Sequence, residues 1–387
     1  MTAPKFSIRF MREEDLPHIH RILTSPKVMW GTLQVPSRQL GPMSGQWQMD
    51  SENGFTLVAE MAEGPEQGKV IGNCGLKRGT GRRSHVAGLG MSVDPEYHGM
   101  GVGTALMKAC LEVAEKWWRP ARVELEVYPD NEPAVRLYRK FGFEVEGKKR
   151  DLAIRAGKYV DVLVMSKIYD VQPHSNSDPS DEPCAEDVPV HGLGPAQPPF
   201  EPRGQFPKAQ KSHVSPVVPK LEIRPPRPDD AENLRAFYSI PQVLTSSEFL
   251  PWTVPKASRI ASDLQSPSHR HVFLCLSEGQ VTGEVTLTCG SGRLARSGTV
   301  SVLLIPPEGE TSRDSKVARG LLKAIVDLAE DWLALHRLEI QTYSDETWLV
   351  PALDENGFRQ EACMRHASLR AGRYEDRLVW GRVSNRW

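Results

Sequence analysis

The sequence predicts an α/β (α+β) protein: two mixed sheets flanked by helices and joined by a proline-rich linker. Three observations carry this. Segments of period two alternate with segments of helical period in each half of the 387 residues. The tract 171–220 holds 11 prolines, including Pro198-Pro199, and few large apolar residues, so burial cannot offset its ordering entropy. The residues on either side of that tract match one another at a constant offset of 215 positions, the mark of a duplicated unit. At about 100–200 residues per domain the length predicts two or three domains, and the boundaries fall at 1–170, 171–220 and 221–387.

The matches span the whole half. Ile8-Arg9 corresponds to Ile223-Arg224, Trp117 to Trp332, Arg122 to Arg337 and Glu124 to Glu339. Tyr128 corresponds to Tyr343, Gly142-Phe143 to Gly357-Phe358, and Gly157, Tyr159 and Asp161 to Gly372, Tyr374 and Asp376. A short gap is needed around 293–310.

In order, Phe6 to Phe10 alternates as a strand, and Glu13-Glu14-Asp15 opens a helix with acidic residues at its positive end. Phe55 to Glu60 and Lys69 to Leu76 read as strands around a turn at Gly64-Pro65 and Gly68. His85 to Val93 is a strand of small residues, and a helix follows from Gly101 to Trp118 with Leu106, Cys110, Val113 and Trp117 at helical spacing. Val123 to Tyr128 is a strand, and Glu132 to Phe141 is a helix closed by Gly142. Phe143 to Glu146 and Tyr159 to Ile168 complete the unit as strands.

Composition excludes several classes. Lys+Arg 48 against Asp+Glu 49 leaves a net charge of -1, which argues against nucleic-acid binding through a broad basic surface. No apolar run reaches the roughly 18–20 residues that span a bilayer, and Met1 to Phe10 lacks the apolar core of a secretory signal. The six cysteines lie far apart, with no C-x-x-C pair and no histidine at zinc spacing. The expectation is a cytoplasmic protein with free thiols, no metal and no membrane partner.

His98-Gly99-Met100-Gly101-Val102-Gly103 lies between a strand and a helix. Glycines there let a ligand approach the backbone, and the helix start favours negative charge, so the loop suits a pyrophosphate or is only a tight turn. A Rossmann site requires a parallel strand–helix–strand unit, whereas the preceding strands read as an antiparallel meander. No Gly-Lys-Ser/Thr follows, which excludes the mononucleotide P-loop.

This loop resembles the cofactor motif of the GNAT superfamily of acyl-CoA-dependent N-acetyltransferases, Gln/Arg-x-x-Gly-x-Gly/Ala, with His98 in place of the usual Gln or Arg. A second GNAT signature follows at Asn131-Glu132-Pro133-Ala134, Leu137-Tyr138 and Phe141-Gly142-Phe143. Within the superfamily, Thr32-Leu33-Gln34-Val35-Pro36, Arg82-Arg83-Ser84-His85-Val86-Ala87 and Arg155-Ala156-Gly157-Lys158-Tyr159-Val160-Asp161 look like a bacterial branch that acetylates free L-amino acids.

The resemblance implies an acetyl-CoA cosubstrate whose pyrophosphate sits on the N–H groups of Gly99, Met100, Gly101, Val102, Gly103 and Thr104. It also implies that the pantetheine arm pairs with Ser92 and Val93, that the N–H of Met91 or a neighbour stabilises the oxyanion, that Asn131 touches the arm, and that Tyr138 protonates the departing thiolate. Each role has a plain structural alternative. Tyr138 also fits as an apolar anchor, Asn131 as a helix cap, and His98 as the start of the loop rather than a phosphate ligand. For the base, relatives place a Glu on the strand that here reads Ala87-Gly88-Leu89-Gly90, so His85 or a water relay remains. Arg82 and Arg83 either clamp a substrate carboxylate or form a solvated turn, and Glu124 and Glu126 read as a solvent-facing edge.

In the second half the loop reads Asp314-Ser315-Lys316-Val317-Ala318 after Arg313, with Leu353 at the Tyr138 position and Glu346 at the Asn131 position. The core stripe survives while the chemical positions change. The expectation is a degenerate half that keeps the fold and stabilises the first half, closes its site by packing against it, or binds a partner. The reading for the whole chain is an N-acetyltransferase acting on a small-molecule amine. A protein acetyltransferase and a non-enzymatic acyl-CoA-binding scaffold are the alternatives.

Overall fold

The computed structural model describes residues 5–33, 53–169, 221–247, 255–265, 270–305, 316–370 and 372–385. The linker tract, the segment from Gln34 to Pro36 and the loop residues Arg313, Asp314 and Ser315 lie outside the described residues. Among the described residues no helix is long and apolar enough to cross a membrane.

The first half runs β1 (Phe6–Phe10), α1 (Leu16–Leu23), α2 (Pro26–Gly31), β2 (Gly54–Met61), β3 (Val70–Arg78), β4 (Val86–Val93), α3 (Val102–Val113), β5 (Arg122–Val127), α4 (Glu132–Lys140), β6 (Glu144–Arg155) and β7 (Lys158–Ile168). Its strands are ordered β1-β2-β3-β4-β5-β7-β6. Only β4 and β5 are parallel neighbours, and they pair at Val86–Gly88 with Arg122–Glu124 before separating. α3 buries Leu106, Met107, Cys110 and Leu111 on the sheet, each such side chain contributing about 1.5–3 kcal/mol. α1 covers the opposite face with Ile19, Ile22 and Leu23 against Val58 and Val70.

The second half repeats this order with β8 (Leu221–Arg224), α5 (Ala231–Tyr238), α6 (Pro241–Ser246), α7 (Ala257–Gln265), β9 (Arg270–Ser277), β10 (Gln280–Cys289), β11 (Ser297–Leu304), α8 (Lys316–Asp327), β12 (Arg337–Tyr343), α9 (Val350–Glu355), β13 (Arg359–Arg370) and β14 (Arg373–Val383). Here β11 and β12 are the parallel pair, joined from Ser297–Arg337 to Val300–Ile340. The core of α8, with Leu321, Leu322 and Ile325, mirrors that of α3.

The two expected sheets are not separate. They join edge to edge through β6 and β13 into one 14-stranded order, bridged at Gly147 and Ala362. A Cβ on Gly147 would lie 2.1 Å from that of Ala362, so only glycine lets the strands meet. β6 also extends far beyond the expected Phe143–Glu146 segment. The run Gly147-Lys148-Lys149-Arg150-Asp151 hides its strand character because it carries charges instead of alternating apolar residues, and three of them, Lys149, Arg150 and Asp151, meet Glu339, Glu361 and His336 of the other half.

The junction is pseudo-symmetric. Arg122 is fully buried, donates to Glu146 at 2.9 and 2.6 Å, and reaches the Arg365 carbonyl at 2.6 Å. Arg337, its counterpart, donates to Glu361 at 3.2 and 2.6 Å and to the Arg150 carbonyl at 2.7 Å. Each pair lies within one half, and removing one partner of such a buried pair costs about 3–5 kcal/mol; the bonds of the same four side chains to Arg365 and Arg150 join the halves.

Candidate active site

The glycine loop forms between β4 and α3. Gly99 (φ 77°) and Gly101 (φ 84°) adopt left-handed backbone, and a Cβ at either would meet nothing within 4 Å. Gly101 is the N-cap of α3, so the first-turn N–H groups of Val102, Gly103 and Thr104 have no intrahelical acceptor. Left-handed glycines, open space and unengaged helix donors together make a cradle that fits a diphosphate. Met100 sits within the loop, its N–H donating to the Tyr97 carbonyl at 3.4 Å. His98 turns back: its Nε2–H donates to the Val93 carbonyl at 2.9 Å, so the ring staples the loop to the end of β4. Asp94 braces the same turn by accepting from Glu96 N at 3.2 Å and from Arg21 at 2.7 Å.

Because β4–β5 pairing ends at Gly88 and Glu124, the β5-facing backbone of Leu89 to Val93 is left without a strand partner. Met91, Ser92 and Val93 lie on this freed edge, and Gly103 of α3 stands over Met91 and Val93. Gly88 and Gly90 are exposed and leave β4 bare on the opposite face. A cavity of about 230 Å³ opens where the strands part, lined by Gly88, Leu89, Glu124, Leu125, Glu126, Lys149, Val164 and Met364. Met364 comes from the second half.

Tyr138 projects from α4 into the core, 8% exposed, with its ring 6.0 Å from that of Phe143. Burial, with a smaller contribution from Cys74, pushes its hydroxyl well above the usual tyrosine range. Cys74 is opposite Met91 in the β3–β4 register, and Tyr138 packs in the same cluster with both, on the α3 face of the sheet. Asn131 caps α4, its Oδ1 accepting from Ala134 N at 3.4 Å.

Three expected residues lie elsewhere. His85 precedes β4 at the end opposite the loop, six residues and so about 20 Å from Met91 at the rise of a strand. Its Nε2–H donates to the His366 carbonyl at 2.8 Å, and burial lowers its proton affinity. It is a junction residue, too remote to serve as base. Arg82 donates to the carbonyls of Leu244 and Leu369, and Arg83 to the Ala367 carbonyl and Glu124. Both guanidiniums hold the second half instead of facing the cavity, which removes them as a substrate clamp. Among the described residues no group of three or more His, Cys, Asp or Glu is placed to hold a metal.

Sequence reasoning missed Glu126 and Lys149. Glu124 is consumed by Arg83 and Arg122, but Glu126 stays 38% exposed in the cavity wall and accepts from Lys149 at 3.0 Å. The Lys149 ammonium also donates to Glu339 of the second half at 2.9 Å. Burial disfavours its charge, but the two carboxylates outweigh this and hold it above the ordinary lysine value. The alternation Glu124-x-Glu126 was the available signal, but nothing in the sequence distinguishes a cavity wall from a solvent edge.

Residues 16–143 match the model of the acetyltransferase (GNAT) family. The chain is 37% identical over 165 residues to the L-amino acid N-acetyltransferase AaaT of Escherichia coli (strain K12), a match covering 42% of this chain and 96% of that protein. It is 28% identical over 189 residues to a mycothiol acetyltransferase of Brachybacterium faecium, covering 39% of this chain and 56% of that protein. Among solved structures, spermidine N-acetyltransferase from Vibrio cholerae is 16% identical, with 42% of this chain and 95% of that one covered and a TM-score of 0.37.

Proposed function

The chain belongs to the GNAT family of acetyltransferases and is an N-acetyltransferase, and from that premise we propose that residues 1–170 are its catalytic half, with a free L-amino acid or similar small amine as acceptor. Residues 221–387 form a degenerate half that has given up the transfer chemistry, with 171–220 as the linker. Acetyl-CoA is the cosubstrate, and when bound it supplies an acetyl thioester, the electrophile of a direct transfer.

The chain's own residues divide the work. The N–H groups of Gly99, Gly101, Val102, Gly103 and Thr104 hold the diphosphate, with Met100 shaping the turn between them, while the freed edge of Ser92 and Val93 aligns the arm and Asn131 closes on it. The main-chain N–H of Met91 or its neighbour stabilises charge developing on the carbonyl oxygen. Tyr138, kept protonated by burial, donates its proton to the leaving sulfur. Glu126 accepts the ammonium proton of the acceptor at the cavity wall, either directly or through water. Gly88 and Gly90 make room for the amine where a side chain would otherwise stand.

The observation that carries the small-acceptor reading is the size of the cavity where the strands part, about 230 Å³ with Met364 of the second half in its wall, which matches a small amine. The similarity to AaaT supports amino acids as the class. A thiol-release assay with acetyl-CoA and a panel of free amino acids, polyamines and peptides tests this. Turnover on amino acids supports the reading; turnover on peptides alone overturns it in favour of a protein acetyltransferase, and absence of thiol release with every acceptor overturns it in favour of a non-enzymatic scaffold.

A further inference from the structure

The second half keeps its own parting of strands. β11 and β12 separate after Val300 and Ile340, and a cavity of about 150 Å³ lies there. It shares with the acceptor cavity only the positions of Leu125 and Glu126, here Ile340 and Gln341, and lies further along the parted strands, at Ser301, Val302 and Leu303. Arg270, Arg377, Glu284, Glu346, Ser301 and Gln341 all face it, two cations and two anions around neutral hydrogen-bonding groups. The first-half cavity is lined mainly by glycine, aliphatic side chains and carboxylates.

The charges are held unevenly. Glu284 is 4% exposed and accepts from the Tyr238 hydroxyl at 2.5 Å and the Thr286 hydroxyl at 2.8 Å. Arg270 reaches Glu284 and Thr286 only at 3.4 Å, longer than the roughly 2.7–2.9 Å of a firm charge-assisted bond, and its side chain is 41% exposed. It can turn to a closer carboxylate at little cost. Glu346 accepts from Tyr343 N at 2.9 Å, and burial raises its proton affinity, so a positive charge brought beside it would be stabilised. A cavity of this size holds a solute of about six heavy atoms.

We propose that the second-half cavity is a binding site for a small amino-acid zwitterion, its carboxylate on Arg270 and its ammonium on Glu346. The site is distinct from the acceptor cavity and has no transfer chemistry, because Leu353 stands where the first half has Tyr138. The second half is then a ligand-binding module on a transferase scaffold.

Equilibrium dialysis of the full chain against radiolabelled glycine, alanine and serine, without acetyl-CoA, tests it. Gly88→Trp fills the acceptor cavity, and that protein is expected still to bind one of these amino acids at one equivalent per chain. Added to Gly88→Trp, so that the acceptor cavity contributes nothing, Ser301→Trp, which fills the second cavity, and Arg270→Ala are each expected to weaken that binding at least tenfold. Absence of binding in the Gly88→Trp protein, or unchanged affinity in Arg270→Ala, overturns the proposal. If circular dichroism shows Ser301→Trp unfolded, Arg270→Ala decides alone, since its side chain is largely solvated. The readout is binding without turnover, so failure here is separate from failure of the transferase reading, which is read in thiol release.

Discussion

The two halves share strand order, core stripe and junction, yet differ at the side chains proposed above for the transfer. Where the first half has left-handed Gly101 at the head of α3, the second has Lys316 at the head of α8. Where the first has Tyr138 and Asn131, the second has Leu353, fully buried, and Glu346. The buried arginines and their glutamates are kept on both sides. The lesson is that the fold answers to the junction and the core, while the chemistry rests on a few positions that can be lost without disturbing either.

The sharpest way to break the contrast is at the loop. Gly101→Val places a β-branched residue at φ 84° and displaces the cradle. The expected loss in kcat/KM for acetyl-CoA is about 100-fold, the scale of an ångström of misplacement, whereas Lys316→Ala should leave the rate unchanged. Steady-state kinetics of both variants checks the pair. Next, Tyr138→Phe should lower kcat roughly tenfold or more with little change in the KM for acetyl-CoA, and Leu353→Tyr in the same background should restore nothing. Equal turnover in Tyr138→Phe and the parent would remove the proton-donor role.

Glu126→Gln is expected to lower kcat/KM for the amine by about tenfold or more, read by steady-state kinetics. Its counterpart Gln341 is already an amide, so Gln341→Leu is the matched control for loss of packing alone.

The junction offers the smallest effect and the one shared by both halves. Burial opposes ionisation of Glu146 and Glu339, but Arg122 lowers the first, and Lys149 with Arg337 lowers the second. Their stabilisation is therefore fully present above the unfolded glutamate value, about 4.3, and is lost as pH falls through their lower folded values. Thermal melts between pH 7 and pH 2 should drop most steeply below about pH 4, and Lys149→Met should shallow that drop. Gly147→Val should cost about 1–3 kcal/mol by overpacking, read as a lower urea midpoint.

Much of this was legible in the sequence, for identifiable reasons. The glycine loop, α3 and α4 carry local signals: left-handed glycines, a helix-period stripe and an Asn cap before Pro133. β6, α2 and the roles of Arg82, Arg83 and His85 were not legible. Their partners stand more than a hundred residues away, as with Arg82 at Leu244 and His85 at His366, and no local pattern encodes such distance. The Arg82-Arg83 pair drew a substrate role because two adjacent arginines look the same whether they face a carboxylate or a row of carbonyls.

The meeting of β6 with β13 has one more consequence. Each half presents to the other the same kind of edge that it receives, the geometry of a two-fold dimer carried within a single polypeptide. Since the two edges need not be identical in sequence, a substitution that keeps the seam can alter either half independently.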